Sequence, residues 1–103
     1  MSNVETFGSI IKGEKPVLVD FFATWCGPCK MMPPILEQVH AQLGEQVRII
    51  KIDVDRNQQL ASELNVSSVP TLAIFQHGEL KWRQPGVQQA TALVQKLKEY
   101  IVQ

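Results

Sequence analysis

Two cysteines separated by two residues are the side chains of this sequence best suited to covalent chemistry. Cys26 and Cys29 are the only cysteines among 103 residues, and residues 25–29 read Trp-Cys-Gly-Pro-Cys. At this spacing, two sulfur atoms on the first turn of a helix can form and break a disulfide. The pattern therefore favours a redox-active dithiol.

The expected positions of the two sulfurs predict which reacts first. If Cys26 lies at the N-terminal tip of a helix, unpaired backbone N–H groups stabilise its thiolate, and we expect this sulfur to be open to solvent. Cys29, one turn inside, should be shielded and remain protonated longer. Cys26 is therefore the predicted nucleophile, and Cys29 the thiol that reacts second.

Two structural interpretations of the cysteine pair remain open from the residues alone. One is a buried disulfide that only stabilises the fold, but so short a loop contributes little. The other is half of a zinc site, for which the sequence offers no second pair of ligands. We favour the redox interpretation over both.

Composition indicates one small domain. The chain is 45% hydrophobic, and its ten basic and ten acidic residues give a formal net charge of zero without a basic run. Nucleic acid is therefore an unfavourable partner. Residues 1–12 lack the features of a signal peptide, and no stretch reaches the roughly 20 apolar residues of a membrane span. We expect a single monomeric domain over residues 1–103, cytoplasmic and without membrane partners.

Hydrophobic periodicity predicts an α/β fold. The predicted elements, in order, are a short helix ending near Gly13, a strand over 17–23, a helix from Cys26 to about Gly44, a strand over 47–54, a helix over 57–64, strands over 71–75 and 79–83, and a helix over 89–102. The first two strands should be parallel, and Pro34 should kink the long helix. We expect a mixed sheet of four strands, with five as the alternative, helices on both faces and Cys26 at the carboxyl end of a parallel strand.

A wider set of residues resembles a known family. Residues 21–30 read Phe-Phe-Ala-Thr-Trp-Cys-Gly-Pro-Cys-Lys, Val69-Pro70-Thr71 follows about forty residues later, and a glycine-bearing hairpin comes next. This combination resembles the thioredoxins over nearly the whole chain. The resemblance implies the thioredoxin fold, with the hairpin strands antiparallel to the first two. It also implies reduction of disulfides in target proteins and re-reduction by a flavoprotein thioredoxin reductase that uses NADPH, with no cofactor bound to this chain.

The resemblance also gives a role to two polar residues in apolar strands. It implies that Asp20 lies behind Cys29 as the base that deprotonates it, and that Lys51 pairs with Asp20. From the residues alone, the simpler interpretation is that Asp20 accepts hydrogen bonds from nearby backbone and that Lys51 extends to solvent. The resemblance reverses that preference.

A rim for substrate binding is the last implied part of the site. The resemblance implies a cis bond before Pro70, which would turn the Val69 backbone outward to pair with an extended substrate segment. The apolar rim around the Cys26 sulfur would consist of Trp25, Gly27, Pro28, Val69, Pro70 and Gly86. For Trp25, ordinary core packing is an equal alternative.

The sequence departs from the family pattern in ways that affect the sheet and the rim. It begins after the usual position of the first strand, so the strand over 47–54 is expected at a sheet edge. Pro85 replaces a small aliphatic residue before Gly86 and removes a backbone donor from the rim, which bears on substrate range. Two alternative functions remain: a disulfide oxidase or isomerase, and a non-redox binding subunit of a larger assembly.

Overall fold

The structure is a computed structural model that describes residues 6–102. Its elements, in order, are helix α1 (Phe7–Ile11), strand β1 (Val17–Phe22), a 3-10 turn (Pro28–Met31), α2 (Met32–Leu43), a second 3-10 turn (Gly44–Gln46), β2 (Arg48–Asp53), α3 (Gln58–Glu63), β3 (Thr71–Gln76), β4 (Glu79–Pro85) and α4 (Ala90–Lys98). Within these residues, no helix has the length and apolar character needed to cross a lipid bilayer.

The four strands form one mixed sheet in the order β2-β1-β3-β4. β1 is parallel to β2 and antiparallel to β3, and β3 is antiparallel to β4. The predicted four-stranded sheet is confirmed, with β2 at an edge. Because β1 is central and covered on both faces, its first five residues are all buried, which explains its nearly continuous apolar sequence.

Helices cover both faces of the sheet, as predicted. On one face, α2 and α4 enclose the larger part of the core, which includes Leu18, Met32, Val39, Leu72, Ile74, Leu93 and Leu97. On the other face, α1 and α3 contribute side chains to a second cluster built on Val17, Val19, Phe21, Ala73 and Phe75. The sheet therefore has two apolar surfaces, and each is covered by a pair of helices.

The predicted kink at Pro34 is wrong in form. The chain after Cys26 makes a 3-10 turn, and α2 begins only at Met32, so both Pro33 and Pro34 lie in the first turn of an α-helix. Backbone N–H groups in a first turn have no partner inside the helix, so the missing donors of proline cost nothing there. A change of helix type therefore replaces the kink.

The two C-terminal elements differ in length from the prediction. α4 ends at Lys98 rather than at residue 102, because the chain beyond it makes other bonds. The Tyr100 carbonyl accepts a hydrogen bond from Nε2 of Gln76, a buried side chain at the end of β3. β4 continues through Pro85, two residues further than predicted.

Candidate active site

The two cysteines lie at the carboxyl end of β1, where the sequence predicts them. The chain leaves β1 at Phe22 and turns back, and the Cys26 N–H donates to the Ala23 carbonyl at 3.2 Å. The 3-10 turn then carries Cys29 back towards Cys26. A disulfide joins the two residues, with their Cα atoms 5.3 Å apart.

A backbone hydrogen bond distinguishes the Cys26 sulfur. The Cys29 N–H donates to Cys26 Sγ at 3.1 Å, across the three-residue spacing with which an N-cap side chain accepts. Such a donor stabilises negative charge on the sulfur once the disulfide is reduced. The predicted helix-tip environment is thus present, although a 3-10 turn supplies the donor in place of the first turn of α2.

The predicted difference in exposure between the cysteines is wrong. In the disulfide form, Cys26 is 4% exposed and Cys29 is 5% exposed. Both belong to a small buried cluster with Ala23, and Val69 and Phe22 pack against it. The two sulfurs therefore differ in their hydrogen bonds and neighbours and not in their access to solvent.

Asp20 is buried beside the disulfide without a full set of hydrogen bonds. It is 1% exposed, and its Oδ1 atom accepts no hydrogen bond within residues 6–102. The interpretation that nearby backbone satisfies this carboxyl therefore fails for Oδ1. Burial raises the pKa of Asp20 to about 6, and the charge of Lys51 opposes that rise.

Asp20, Cys29 and Lys51 surround one cavity. Lys51 lies directly opposite Asp20 in the parallel β1–β2 register, and its side chain extends to solvent. Asp20, Lys51 and Cys29 all line a cavity of about 250 Å³. A cavity of this size has room for water, and Asp20 and Lys51 provide polar partners in a lining that is otherwise largely apolar. The structure therefore brings the three residues together around a space through which a proton can move.

The loop before β3 provides the opposite wall of the site. The Val69-Pro70 bond is cis, as the resemblance implies, and the Val69 carbonyl oxygen lies 3.7 Å from Cys26 Sγ. The Gly86 N–H donates to the Pro70 carbonyl at 2.8 Å and joins this loop to the end of β4. Gly86 has a φ of +89°, a conformation that favours glycine.

The predicted rim is only partly exposed. Gly27, Pro28 and Gly86 are exposed and Val69 is half-buried, but Pro70 is buried. Trp25 is 71% exposed, so the core-packing alternative is wrong for this residue. Its Nε1–H donates to Asp55 Oδ2 at 2.8 Å, which holds the ring beside the cysteines.

Comparisons with known proteins agree with this geometry. The family model described as Thioredoxin matches residues 1–99. The chain belongs to the thioredoxin family. As a thioredoxin it is a thiol–disulfide oxidoreductase that reduces disulfides in proteins, and the Cys26–Cys29 pair supplies the redox-active disulfide.

Individual relatives extend this match. A thioredoxin-like protein of Synechocystis is 48% identical over 96 residues, which are 92% of this chain and 91% of that protein. A bifunctional thioredoxin reductase/thioredoxin of Mycobacterium leprae is 40% identical over 98% of this chain, but only 22% of its own length is matched. The oxidised crystal structure of mitochondrial thioredoxin 3 from Saccharomyces cerevisiae is 38% identical, with a TM-score of 0.80 over 90% of this chain and 86% of that one.

Sequence reasoning missed two residues around the thioredoxin site. Asp55 lies thirty residues after its partner Trp25, and no local pattern connects them. Arg83 in β4 donates from both terminal nitrogens to the carbonyls of Leu64 and Asn65. The signal available for Arg83 was a positively charged residue at the end of a predicted strand. Within residues 6–102, no group of three or more His, Cys, Asp or Glu side chains could hold a metal ion.

Proposed function

We propose that this thioredoxin reduces target proteins through Cys26 as the attacking thiolate. The hydrogen bond from the Cys29 N–H to Cys26 Sγ supports this assignment, because it favours the charged form of that sulfur. The thiolate attacks one sulfur of a target disulfide. A mixed disulfide forms between Cys26 and the target, and the other target sulfur leaves as a thiolate.

Cys29 completes the reaction with the help of Asp20. The single observation that carries this step is the unpartnered Oδ1 atom of Asp20 in the cavity that Cys29 also lines. With a pKa of about 6, Asp20 is mostly ionised at neutral pH and can take the Cys29 proton, directly or through water. The Cys29 sulfur then attacks Cys26 Sγ, the Cys26–Cys29 disulfide forms, and the reduced target leaves.

Substrate docking uses the rim beside Cys26. Trp25, Gly27, Pro28 and Gly86 present the exposed part of the rim, while Val69 supplies main-chain groups for an extended target segment. Main-chain recognition places few demands on the target's side chains. This arrangement suits a broad range of disulfide-containing targets. Pro85 is expected to narrow that range, because it has no backbone N–H with which to bind a target segment.

The oxidised chain needs a source of electrons. We assign this role to a thioredoxin reductase, a flavoprotein that uses NADPH, and the name of the Mycobacterium leprae relative joins such a reductase to a thioredoxin in one protein. The chain is proposed to act as a monomeric single domain in the cytoplasm, where thiols are kept reduced.

Serine variants of the two cysteines test these roles. Cys29→Ser should form a mixed disulfide with its target that persists, because no second thiol can attack Cys26. Cys26→Ser should lose exchange entirely, since the first bond cannot form. Both are measured by non-reducing electrophoresis after incubation with a disulfide-bonded protein such as insulin, with thiol release as the rate assay.

The two variants control each other, because each keeps one cysteine and adds the same hydroxyl. Trapping by Cys26→Ser in place of Cys29→Ser would reverse the assigned order of attack. Absence of any trapped species with Cys29→Ser would remove the mixed-disulfide mechanism.

A further inference from the structure

Arg83 of β4 holds the end of α3 at the start of the loop that leads to the active site. Its Nη1 atom donates to the Leu64 carbonyl and its Nη2 atom donates to the Asn65 carbonyl. Leu64 is the C-cap of α3, and Asn65 has a positive φ of 57°. Carbonyls at this end of a helix lack partners within the helix and carry its partial negative charge, so a guanidinium both pairs with them and neutralises them.

The segment held by Arg83 is the one that presents Val69 to the disulfide. Four residues after Asn65 the chain reaches Val69, whose carbonyl oxygen lies 3.7 Å from Cys26 Sγ. Beyond Val69, the loop is fixed at its far end by the Gly86 N–H bond to the Pro70 carbonyl and by Thr71 Oγ1, which donates to the Ser68 carbonyl at 2.7 Å. Ser67 and Ser68, between the two anchors, are exposed.

The loop that carries Val69 is thus bonded at two points to β4 or to the residue that follows it. Gly86 fixes the loop close to Pro70 through the backbone, whereas Arg83 fixes its beginning through a side chain. In the register of the sheet, Arg83 lies opposite Ala73, two residues into β3 from Thr71, so its side chain reaches past the strand to the helix end. Losing the guanidinium would loosen the start of the loop, which would still keep the bonds from the Asn65 and Val66 N–H groups to the Ser62 and Ala61 carbonyls. Neither cysteine would be touched.

We propose that Arg83 is a positioning residue for target docking: its hydrogen bonds to the Leu64 and Asn65 carbonyls determine the position of the Val69 main chain. This inference rests on the proposed docking of extended targets along Val69. It predicts that Arg83 affects the binding of protein substrates and leaves the chemistry of the dithiol unchanged.

The test is Arg83→Met, which keeps much of the apolar stem and removes the charge and both donors. With insulin as the protein disulfide, KM should rise roughly three- to tenfold, the range expected for about one lost net hydrogen bond, while kcat changes less. With 5,5′-dithiobis(2-nitrobenzoic acid), a small disulfide without a main chain to pair, the rate should remain at the wild-type value. The reduction potential of the Cys26–Cys29 pair should also be unchanged.

Lys81→Met is the matched control. Lys81 lies on the same strand and also carries a positive charge, but its ion pair is with Glu79 of that strand, at 3.5 Å. This variant should keep the wild-type KM for insulin. Thermal unfolding of both variants establishes that they are folded at the assay temperature.

Each outcome decides the proposal. A wild-type KM for insulin in Arg83→Met overturns it, and so does an equal proportional loss on the small disulfide, because general destabilisation would then explain the effect. A similar rise of KM in Lys81→Met would assign the effect to surface charge and also overturn it. If wild type itself shows no saturable docking of insulin, the docking mode fails first and independently of Arg83.

Discussion

Asp20 is the residue at which function and stability are most directly opposed. A carboxyl group that is 1% exposed, with one oxygen unpartnered within residues 6–102, is unfavourable to bury in its charged form. The same burial raises its pKa to about 6, which makes it a competent proton acceptor near neutral pH. The proposed base is therefore expected to cost folding free energy at the pH where it works.

The pH dependence of stability follows from this shift. In the unfolded chain Asp20 ionises near the ordinary aspartate pKa of 3.8, but in the folded chain it keeps its proton up to about pH 6. The folded state binds more protons within this window, so this group's contribution to stability is complete below pH 3.8 and is lost as pH rises through 6. The lost contribution is about 3 kcal/mol.

Asp20→Asn tests this directly. The free energy of unfolding of the variant, relative to wild type, should increase by about 2.4 kcal/mol between pH 4 and pH 7, because asparagine does not titrate. Urea denaturation at a series of pH values measures it, and taking the difference removes the contributions of the other carboxylates. A constant difference across this range would contradict the raised pKa.

The same substitution, Asp20→Asn, is also expected to change the rate of the reaction. Without a base, release of the target from the mixed disulfide should be slower, so Asp20→Asn should be more stable and less active at neutral pH. A variant that gains stability with an unchanged release rate would remove Asp20 from the mechanism and leave it as a buried acid only.

At the scale of elements, backbone conformation explains what side-chain patterns could not predict. The apolar spacing of residues 32–43 predicts a helix face, and the structure places Met32, Ile35, Leu36, Val39 and Leu43 in the core. The same spacing could not show that the turn before Met32 is 3-10, because apolar periodicity reports which side is buried and not how tightly the backbone winds. The predicted start of α2 is therefore wrong, although its predicted buried face is right.

The glycine after α2 is an element-scale prediction. Gly44 has φ +53° and ψ −130°, outside the regions that residues with a Cβ normally adopt. Gly44→Ala should lower the free energy of unfolding by about 1–2 kcal/mol, because the strain is in the backbone and not in the space around it. Chemical denaturation at fixed pH measures the change.

Gly8 provides the matched control, since an added Cβ meets nothing within 4 Å at either position. Gly8 lies within α1, where alanine is the better helix former, so Gly8→Ala should be neutral or stabilising by up to about 1 kcal/mol. Equal effects of the two substitutions would show that the conformation of Gly44 is not what makes it sensitive.

At the scale of the whole molecule, one buried amide connects distant parts of the chain. Gln76 is 6% exposed, and its Nε2 atom donates to the Glu14 carbonyl at 2.7 Å and to the Tyr100 carbonyl at 2.6 Å. These two carbonyls precede β1 and follow α4. The end of a central strand thus holds segments that are far apart in sequence.

Gln76→Leu should therefore be costly. It keeps the approximate volume but leaves two partly buried carbonyls without their donor, which is expected to lower the free energy of unfolding by about 2–3 kcal/mol. Gln84→Leu, at an exposed position of β4, should stay within about 0.5 kcal/mol of wild type. Denaturant titration compares the two, and a small effect at Gln76 would mean that water replaces the amide readily.

Features encoded by residues close in sequence were predicted, whereas contacts between residues far apart in sequence were not. The dithiol motif, the strands and the buried helix faces are encoded by residues close in sequence, and all of them were predicted. The bonds from Trp25 to Asp55, from Arg83 to Leu64 and from Gln76 to Tyr100 join residues that meet only after folding. Val69 was predicted beside Cys26 through the resemblance, but the sequence did not show how closely the two pack, and so the burial of Cys26 was missed.

The β3–β4 turn lies far from the active site because of the directions in which the strands run. β1 runs towards the disulfide and β3 runs away from it, so the turn at His77 and Gly78 lies at the opposite end of the sheet. The backbone N–H groups of these two residues bond to Gly13 and Ile11, while the imidazole of His77 is exposed. A dye, a tether or a solid support attached at position 77 would therefore leave the catalytic end pointing outward and free to meet its substrates.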